Sequence, residues 1–196
     1  MAQVREAAAM KTTIIFAHPW SGSFNRAVLN TVMAAGGNSN LIDLYQDNFN
    51  PVMSAPELAL YGKGQYIDPL IGRYIAILKE TARAIFIFPI WWYDMPAILR
   101  GFFDKVMFSG SAYHEDEQGL HPLLNIGRTL LFTTSSTPTR ALTHDFGDPI
   151  NGTIINGTLK ALGFNNAQWH NLGLMNNASS KERNDFLAKV KEAVQV

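Results

Sequence analysis

The chain has 196 residues, 47% hydrophobic and 16% charged, with 16 Lys and Arg balancing 16 Asp and Glu. Such a chain can bury a sizeable core, which argues against disorder, and it lacks the basic excess of a nucleic-acid binder. The absence of cysteine excludes a disulfide framework, a thiolate metal centre and a cysteine nucleophile, and no apolar run approaches the roughly 18 residues a membrane span needs.

Residues 1–10 read as an N-terminal extension without the apolar segment of a signal peptide, leaving 11–196 as a single domain expected in the cytoplasm. The Asn-x-Ser/Thr triplets at Asn151, Asn156 and Asn177 then carry no glycan. Residues 11–17 are β-branched and apolar, a first strand. It stops at His18-Pro19-Trp20-Ser21-Gly22-Ser23, a small-residue turn before a helix over 24–35 that Gly36 closes. A strand, a turn and a helix N-terminus in succession can hold a phosphate on free backbone N–H groups. The turn carries neither GxxxxGK[ST] nor GxGxxG, and its serines also read as ordinary capping residues. A short second strand over 39–44, a loop over 43–55 and helical pieces over 57–61 and 70–80 follow.

Residues 82–108 organise the rest. Ala84-Ile85-Phe86-Ile87-Phe88 is an unbroken apolar run, as in a central strand of a parallel sheet. Pro89 ends it, and Ile90, Trp91, Trp92 and Tyr93 make an aromatic corner before Pro96 and a helix over 97–106. An open α/β sheet binds flat ligands at such a corner, although the same cluster also reads as an apolar plug under the helix. Residues 109–125 form a long polar loop with two histidines. A strand over 127–133 then runs into Thr134-Ser135-Ser136-Thr137-Pro138-Thr139, and residues 144–149 continue that loop. A helix over 151–162, an edge strand over 165–172 and an amphipathic helix over 179–194, capped by Ser179 or Ser180, complete the chain.

Alternating strands and helices predict an α/β fold, a doubly wound five-stranded parallel sheet in three layers with strand order 2-1-3-4-5. The loops 18–25, 89–93 and 134–139 then converge on one edge of the sheet. Their coincidence points to flavin mononucleotide: phosphate at the first loop, isoalloxazine walled by the second, ring edge against the third. The five histidines show no HExxH and no metal-ligand spacing, so no metal site is expected. Ser109-Gly110-Ser111 lacks a nucleophile elbow, which argues against a hydrolase. His144 beside Asp145 could form an acid pair, with a surface histidine the plainer reading, and Glu115, Asp116 and Glu117 read as a solvated face. Phe102, Phe103 and Phe108 offer more aromatic surface than one core needs, which motivates a homodimer.

His18-Pro19 with Ser23-Phe24-Asn25, Asp43-Leu44-Tyr45 with Phe49-Asn50-Pro51-Val52, and Pro89-x-Trp-Trp-Tyr with 95–106 (MPAILRGFFDKV) together resemble the flavodoxin-like NAD(P)H:quinone oxidoreductases. The resemblance covers residues 11–187 and is most specific over 89–106. It implies a flavoenzyme, usually a homodimer, that takes hydride from NAD(P)H and passes it to a quinone-like acceptor. It implies phosphate and ribityl contacts from His18, Ser23, Phe24 and Asn25, ring contacts from Pro89, Ile90, Trp91, Trp92 and Tyr93, and further contacts from Thr134, Ser135 and Ser136. Serines stand at 135 and 136 where the family has glycines, which loosens backbone approach to the ring. Tyr113 matches a tyrosine that reaches the partner subunit's site; the family's Tyr and His that assist hydride transfer have no clear equivalents, because the 137–148 loop differs, and His144 or Phe146 stands in that region. The family's adenine-binding insertion is missing and Gly110 replaces its loop glutamate, which favours FMN over FAD. The family also includes ancillary proteins of cation-efflux transporters, and azo- or nitro-compound reductases share the scaffold; a transporter partner and those acceptors are the alternatives.

Overall fold

The computed structural model describes residues 11–195, so the expected extension over 1–10 lies outside the described residues. The apolar runs form β1 (Thr12–Phe16) and β3 (Arg83–Pro89), each buried along its whole length. With β2 (Ser39–Asp43), β6 (Arg128–Thr134) and β7 (Ala167–Leu172) they build one parallel sheet in the order β2-β1-β3-β6-β7, while β4 (Tyr113–Asp116) and β5 (Gly119–Pro122) pair only with each other. Counted over the large sheet alone, this is the 2-1-3-4-5 order expected from the sequence.

Both faces of that sheet are covered, which is why its central strands show no polar alternation. Ile14, Phe16, Ile85, Ile87, Leu130 and Phe132 pack against α1 (Phe24–Ala35) and α6 (Ser180–Gln195) through Val28, Leu29, Val32, Phe186, Val190 and Val194. Ile15, Phe86, Phe88 and Leu131 face the opposite layer, where α3 (Pro69–Lys79) contributes Tyr74 and Leu78 and α4 (Ala97–Val106) contributes Leu99, Phe102 and Phe103. Each large apolar side chain buried this way contributes roughly 1.5–3 kcal/mol.

The helix starts are set locally. Ser23 Oγ accepts the Arg26 N–H at 3.1 Å and caps α1. Pro96 precedes α4, where its missing N–H is one a helix start would not use. Ser179 caps α6 reciprocally with Glu182: its Oγ accepts the Glu182 N–H at 3.2 Å and its own N–H donates to Glu182 Oε2 at 2.8 Å. Gly101 in α4 lets the backbone at Pro51 lie directly on the helix, because a Cβ there would collide with it. The same loop is pinned by buried Lys105, whose Nζ pairs with Glu57 Oε1 at 2.7 Å across to α2 (Ala55–Tyr61) and donates to Asn50 O at 2.9 Å. Hydrogen bonding from Lys105 and then Ser54 holds the Glu57 carboxyl down at about 2.

Four expectations are corrected. Residues 109–125 are not a polar loop: 113–122 form the β4–β5 hairpin, turned at Glu117–Gln118, with Gly119 opening β5 at a φ of 117°. The continuation of the 134 turn folds into the short helix α5 (Thr139–His144), and the helix expected over 151–162 is a π-helix over Ile150–Leu159. Its sequence is a five-residue repeat, INGTI-INGTL, which matches the i to i+5 bonding of that geometry. Finally, Phe102, Phe103 and Phe108 are 0%, 5% and 3% exposed and belong to this chain's own core, so they supply no surface for a second copy.

Candidate functional site

The carboxyl ends of β1, β3 and β6 lie side by side, with Phe16 opposite Ile87 and Pro89 opposite Thr134, so the loops leaving them share one edge of the sheet. Between these loops lies a cavity of about 530 Å³. The first loop lines it with His18, Trp20, Gly22, Ser23, Phe24 and Asn25, the second with Pro89, Ile90 and Trp91, and the third with Thr134, Ser135 and Ser136. Met175, Asn176 and Arg183 close the far side. A second cavity of about 440 Å³ adjoins it, sharing Ile90, Trp91 and Ser136 and adding Trp92, Tyr93 and Thr137. All the residues expected to contact a cofactor therefore line one of two neighbouring cavities.

Thr134 ties the three loops together. Its carbonyl accepts the Ile90 N–H at 2.7 Å, and its Oγ1 accepts Asn25 Nδ2 at 2.9 Å. Asn25 is 2% exposed, and its Oδ1 is buried without a hydrogen-bond donor. Such an orphan is expensive, on the order of 1–3 kcal/mol, unless something supplies a donor. Arg183, in the first turn of α6, has its Nε buried without an acceptor. The N–H groups of Phe24 and Asn25 begin α1 and so have no helical acceptor. One wall of the cavity therefore needs a donor, and groups that favour an anion stand on its rim. Both needs fit a flavin mononucleotide, whose ribityl hydroxyls donate and whose phosphate accepts.

The aromatic corner is a tight turn. Trp91 and Asp94 exchange backbone hydrogen bonds at 3.0 and 3.1 Å around Trp92 and Tyr93, whose φ angles are 51° and 66°. Positive φ at both central positions is the type I′ geometry that Asn-Gly ordinarily occupies. Two aromatic residues held there carry strain of about 1–2 kcal/mol each. Asp94 braces the turn, accepting the Met95 N–H at 2.7 Å and pairing with Arg100 at 3.1 Å. Trp92 is 93% exposed, and Tyr93 lies against Phe146 with ring centroids 4.5 Å apart and planes tilted by 32°. The His18 ring meets Trp91 edge-on at 6.1 Å. Its Nδ1 accepts the Trp20 N–H at 3.1 Å, which leaves the proton of the neutral ring on Nε2, and burial pushes its pKa below the ordinary 6.5.

The serines at 135 and 136 differ in direction. Ser135 is buried, donates to Thr137 O at 2.6 Å and accepts Asn171 Nδ2 at 2.9 Å, so its hydroxyl turns into the protein. Ser136 is exposed and accepts Asn176 Nδ2 at 3.0 Å. Neither Tyr113 nor His144 lines the cavities. Tyr113 sits half-buried in β4 against this chain's core, and His144 is exposed at the end of α5, its Nδ1 within 2.7 Å of Thr143 Oγ1. Met175, Asn176 and Arg183 were not anticipated from the sequence. Arg183 carried one signal, a cation in the first turn of a helix, where the helix dipole disfavours it unless an anion is near.

A family model described as Flavodoxin-like fold (Flavodoxin_2) matches residues 10–195. A protein of Haemophilus influenzae named as an uncharacterized NAD(P)H oxidoreductase is 29% identical over 192 residues, 95% of each chain. The NAD(P)H:quinone oxidoreductase of Methanothermobacter marburgensis superposes with a TM-score of 0.86 at 26% identity, covering 96% of this chain and 98% of that one. An FMN-dependent NADH-azoreductase from Bacillus anthracis, solved with FMN, shares the fold with a TM-score of 0.76 at 19% identity over 94% of this chain and 97% of that one.

Proposed function

This chain belongs to the flavodoxin-like family and is an oxidoreductase; on that premise we propose that it binds FMN in the cavity between the three loops and uses it to pass hydride from NAD(P)H to quinones or similar acceptors. The observation that carries the proposal is the buried, unpartnered Asn25 Oδ1 in the wall of a cavity whose rim holds Arg183 and the start of α1. When bound, the flavin supplies the two-electron redox chemistry, and the protein supplies binding, orientation and electrostatics.

Arg183 and the N–H groups of Phe24 and Asn25 hold the phosphate. Asn25 Oδ1 receives a ribityl hydroxyl, and Pro89–Tyr93 with Thr134–Ser136 flank the ring. With Ile90 and Trp91 behind, substrates enter from the side bounded by Trp92, Tyr93 and Ser136, the second cavity. Donor and acceptor use that opening in turn, a ping-pong scheme in which proximity supplies much of the rate. The B. anthracis protein's FMN and the missing adenine-binding insertion both favour FMN over FAD. The exposed patch of Trp92, Tyr93 and Phe146 borders that opening and favours a homodimer, with the β4–β5 hairpin that bears Tyr113 completing the neighbour's pocket. Among the described residues no helix is long and apolar enough to cross a membrane.

Heat-released cofactor chromatographed against FMN and FAD standards tests the proposal. FMN in near-stoichiometric amount is expected. FAD would overturn the choice of flavin, and a protein that neither retains nor takes up flavin at micromolar concentration would overturn the site.

A further inference from the structure

We propose that the β4–β5 hairpin is a binding site for a divalent transition-metal cation, held by His114, Asp116 and His121. In an antiparallel pair, residues i and i+2 of one strand share a face with the residue opposite i. His114 stands opposite His121, and Asp116 follows His114 by two residues, so all three side chains project from the same face of the hairpin. Their ligand atoms lie within 4.8 Å of one another. A tetrahedral zinc ion with bonds of about 2.0–2.1 Å spaces its donors by about 3.4 Å, a difference that side-chain rotation closes without moving the strands.

The two imidazoles already lie face to face, with centroids 4.9 Å apart and planes 18° from parallel. His121 Nε2 is 3.0 Å from Asp116 Oδ1, and that oxygen also accepts the Gln118 N–H at 2.8 Å. The Gln118 bond fixes the carboxylate from outside the ligand set, as outer contacts do in metal centres. Two imidazoles and one carboxylate suit Zn²⁺, Co²⁺, Ni²⁺ or Cu²⁺ better than Mg²⁺ or Ca²⁺, and they leave a position for water. The set is hidden in the linear sequence, because the histidines are seven residues apart and become neighbours only through strand pairing. None of the three lines this chain's own flavin cavities, so the metal site needs no bound flavin, although the same hairpin is the one proposed to reach a neighbour's pocket.

The test uses the full chain without a histidine tag, stripped with EDTA, dialysed and titrated with ZnCl₂ in a non-coordinating buffer at neutral pH. One Zn²⁺ per chain is expected with a dissociation constant at or below about 10 μM, and CoCl₂ should give the visible absorption of a tetrahedral site. His114→Asn and His121→Asn should each weaken Zn²⁺ binding at least about tenfold, whereas His144→Asn should leave it unchanged and excess MgCl₂ should not compete. Failure of the unaltered chain to bind Zn²⁺ at about 100 μM, or binding undiminished in the His114→Asn/His121→Asn double variant, would overturn the proposal. The hairpin cluster would then be only an Asp116–His121 pair closing the turn.

Discussion

Replacing Asn25 by Leu separates a ligand-binding role from a structural one. In the flavin-free protein the change removes the bond from Asn25 Nδ2 to Thr134 Oγ1 at 2.9 Å, a loss of about 1 kcal/mol. It also removes the buried Oδ1 that has no donor, relieving a penalty of about 1–3 kcal/mol. The two effects oppose each other, and Leu fills a similar volume, so the flavin-free stability should lie between unchanged and a gain of about 2 kcal/mol. In the flavin-bound protein the acceptor is gone and a ligand hydroxyl is left unpaired. That loss is about 1.4–2.8 kcal/mol, a tenfold to hundredfold weaker dissociation constant. Urea unfolding of the stripped protein measures the first quantity, and quenching of flavin fluorescence on titration measures the second. A variant destabilised by more than about 3 kcal/mol that binds FMN as tightly as the parent would make Asn25 a core prop and refute the reasoning.

Three further outcomes follow from the geometry. Trp92→Gly relieves a left-handed backbone at a 93% exposed residue; after the entropic cost of glycine, the flavin-free protein should gain about 0.5 kcal/mol in urea unfolding while its flavin affinity falls. Lys105→Met leaves Glu57 and the Asn50 carbonyl without their partner inside the fold, so unfolding should show a loss of about 3 kcal/mol with flavin stoichiometry retained. Burial lowers the pKa of both His18 and His170, so the unfolded chain binds protons first as pH drops. Their contribution to stability is therefore flat above 6.5 and declines below it, and His170→Leu should flatten the fall in thermal midpoint between about pH 7 and about pH 5.5.

The parts of the fold legible in the sequence are those specified by local chemistry and burial together. Ser23 and Gly36 bracket α1, Pro96 precedes α4, and unbroken apolar runs mark β1 and β3, so their positions could be read directly. The β4–β5 hairpin could not, because Tyr113–Asp116 and Gly119–Pro122 are mostly polar and exposed on both faces and leave no alternation to detect. The Trp91–Asp94 turn was hidden because Trp and Tyr occupy positions where turn chemistry calls for Asn and Gly. The π-helix at 150–159 was hidden because its buried Ile150, Ile154 and Leu159, spaced by four and five residues, fit a 3.6-residue period nearly as well as a wider one. For the site, topology supplied most of the answer: three loops after parallel neighbours must meet. Met175 enters from the β7–α6 connection and Arg183 from the first turn of α6, and neither stretch carries a phosphate or aromatic signature of its own.

The central claim is that one cavity holds FMN and serves electron donor and acceptor in turn. Anaerobic titration of the FMN-loaded protein tests it most directly. One equivalent of NADPH or NADH should bleach the visible flavin absorption, and, after the nicotinamide is removed, one equivalent of a benzoquinone should restore it. Absorption that neither nicotinamide bleaches, or that returns only while the oxidised nicotinamide remains bound, would contradict the account.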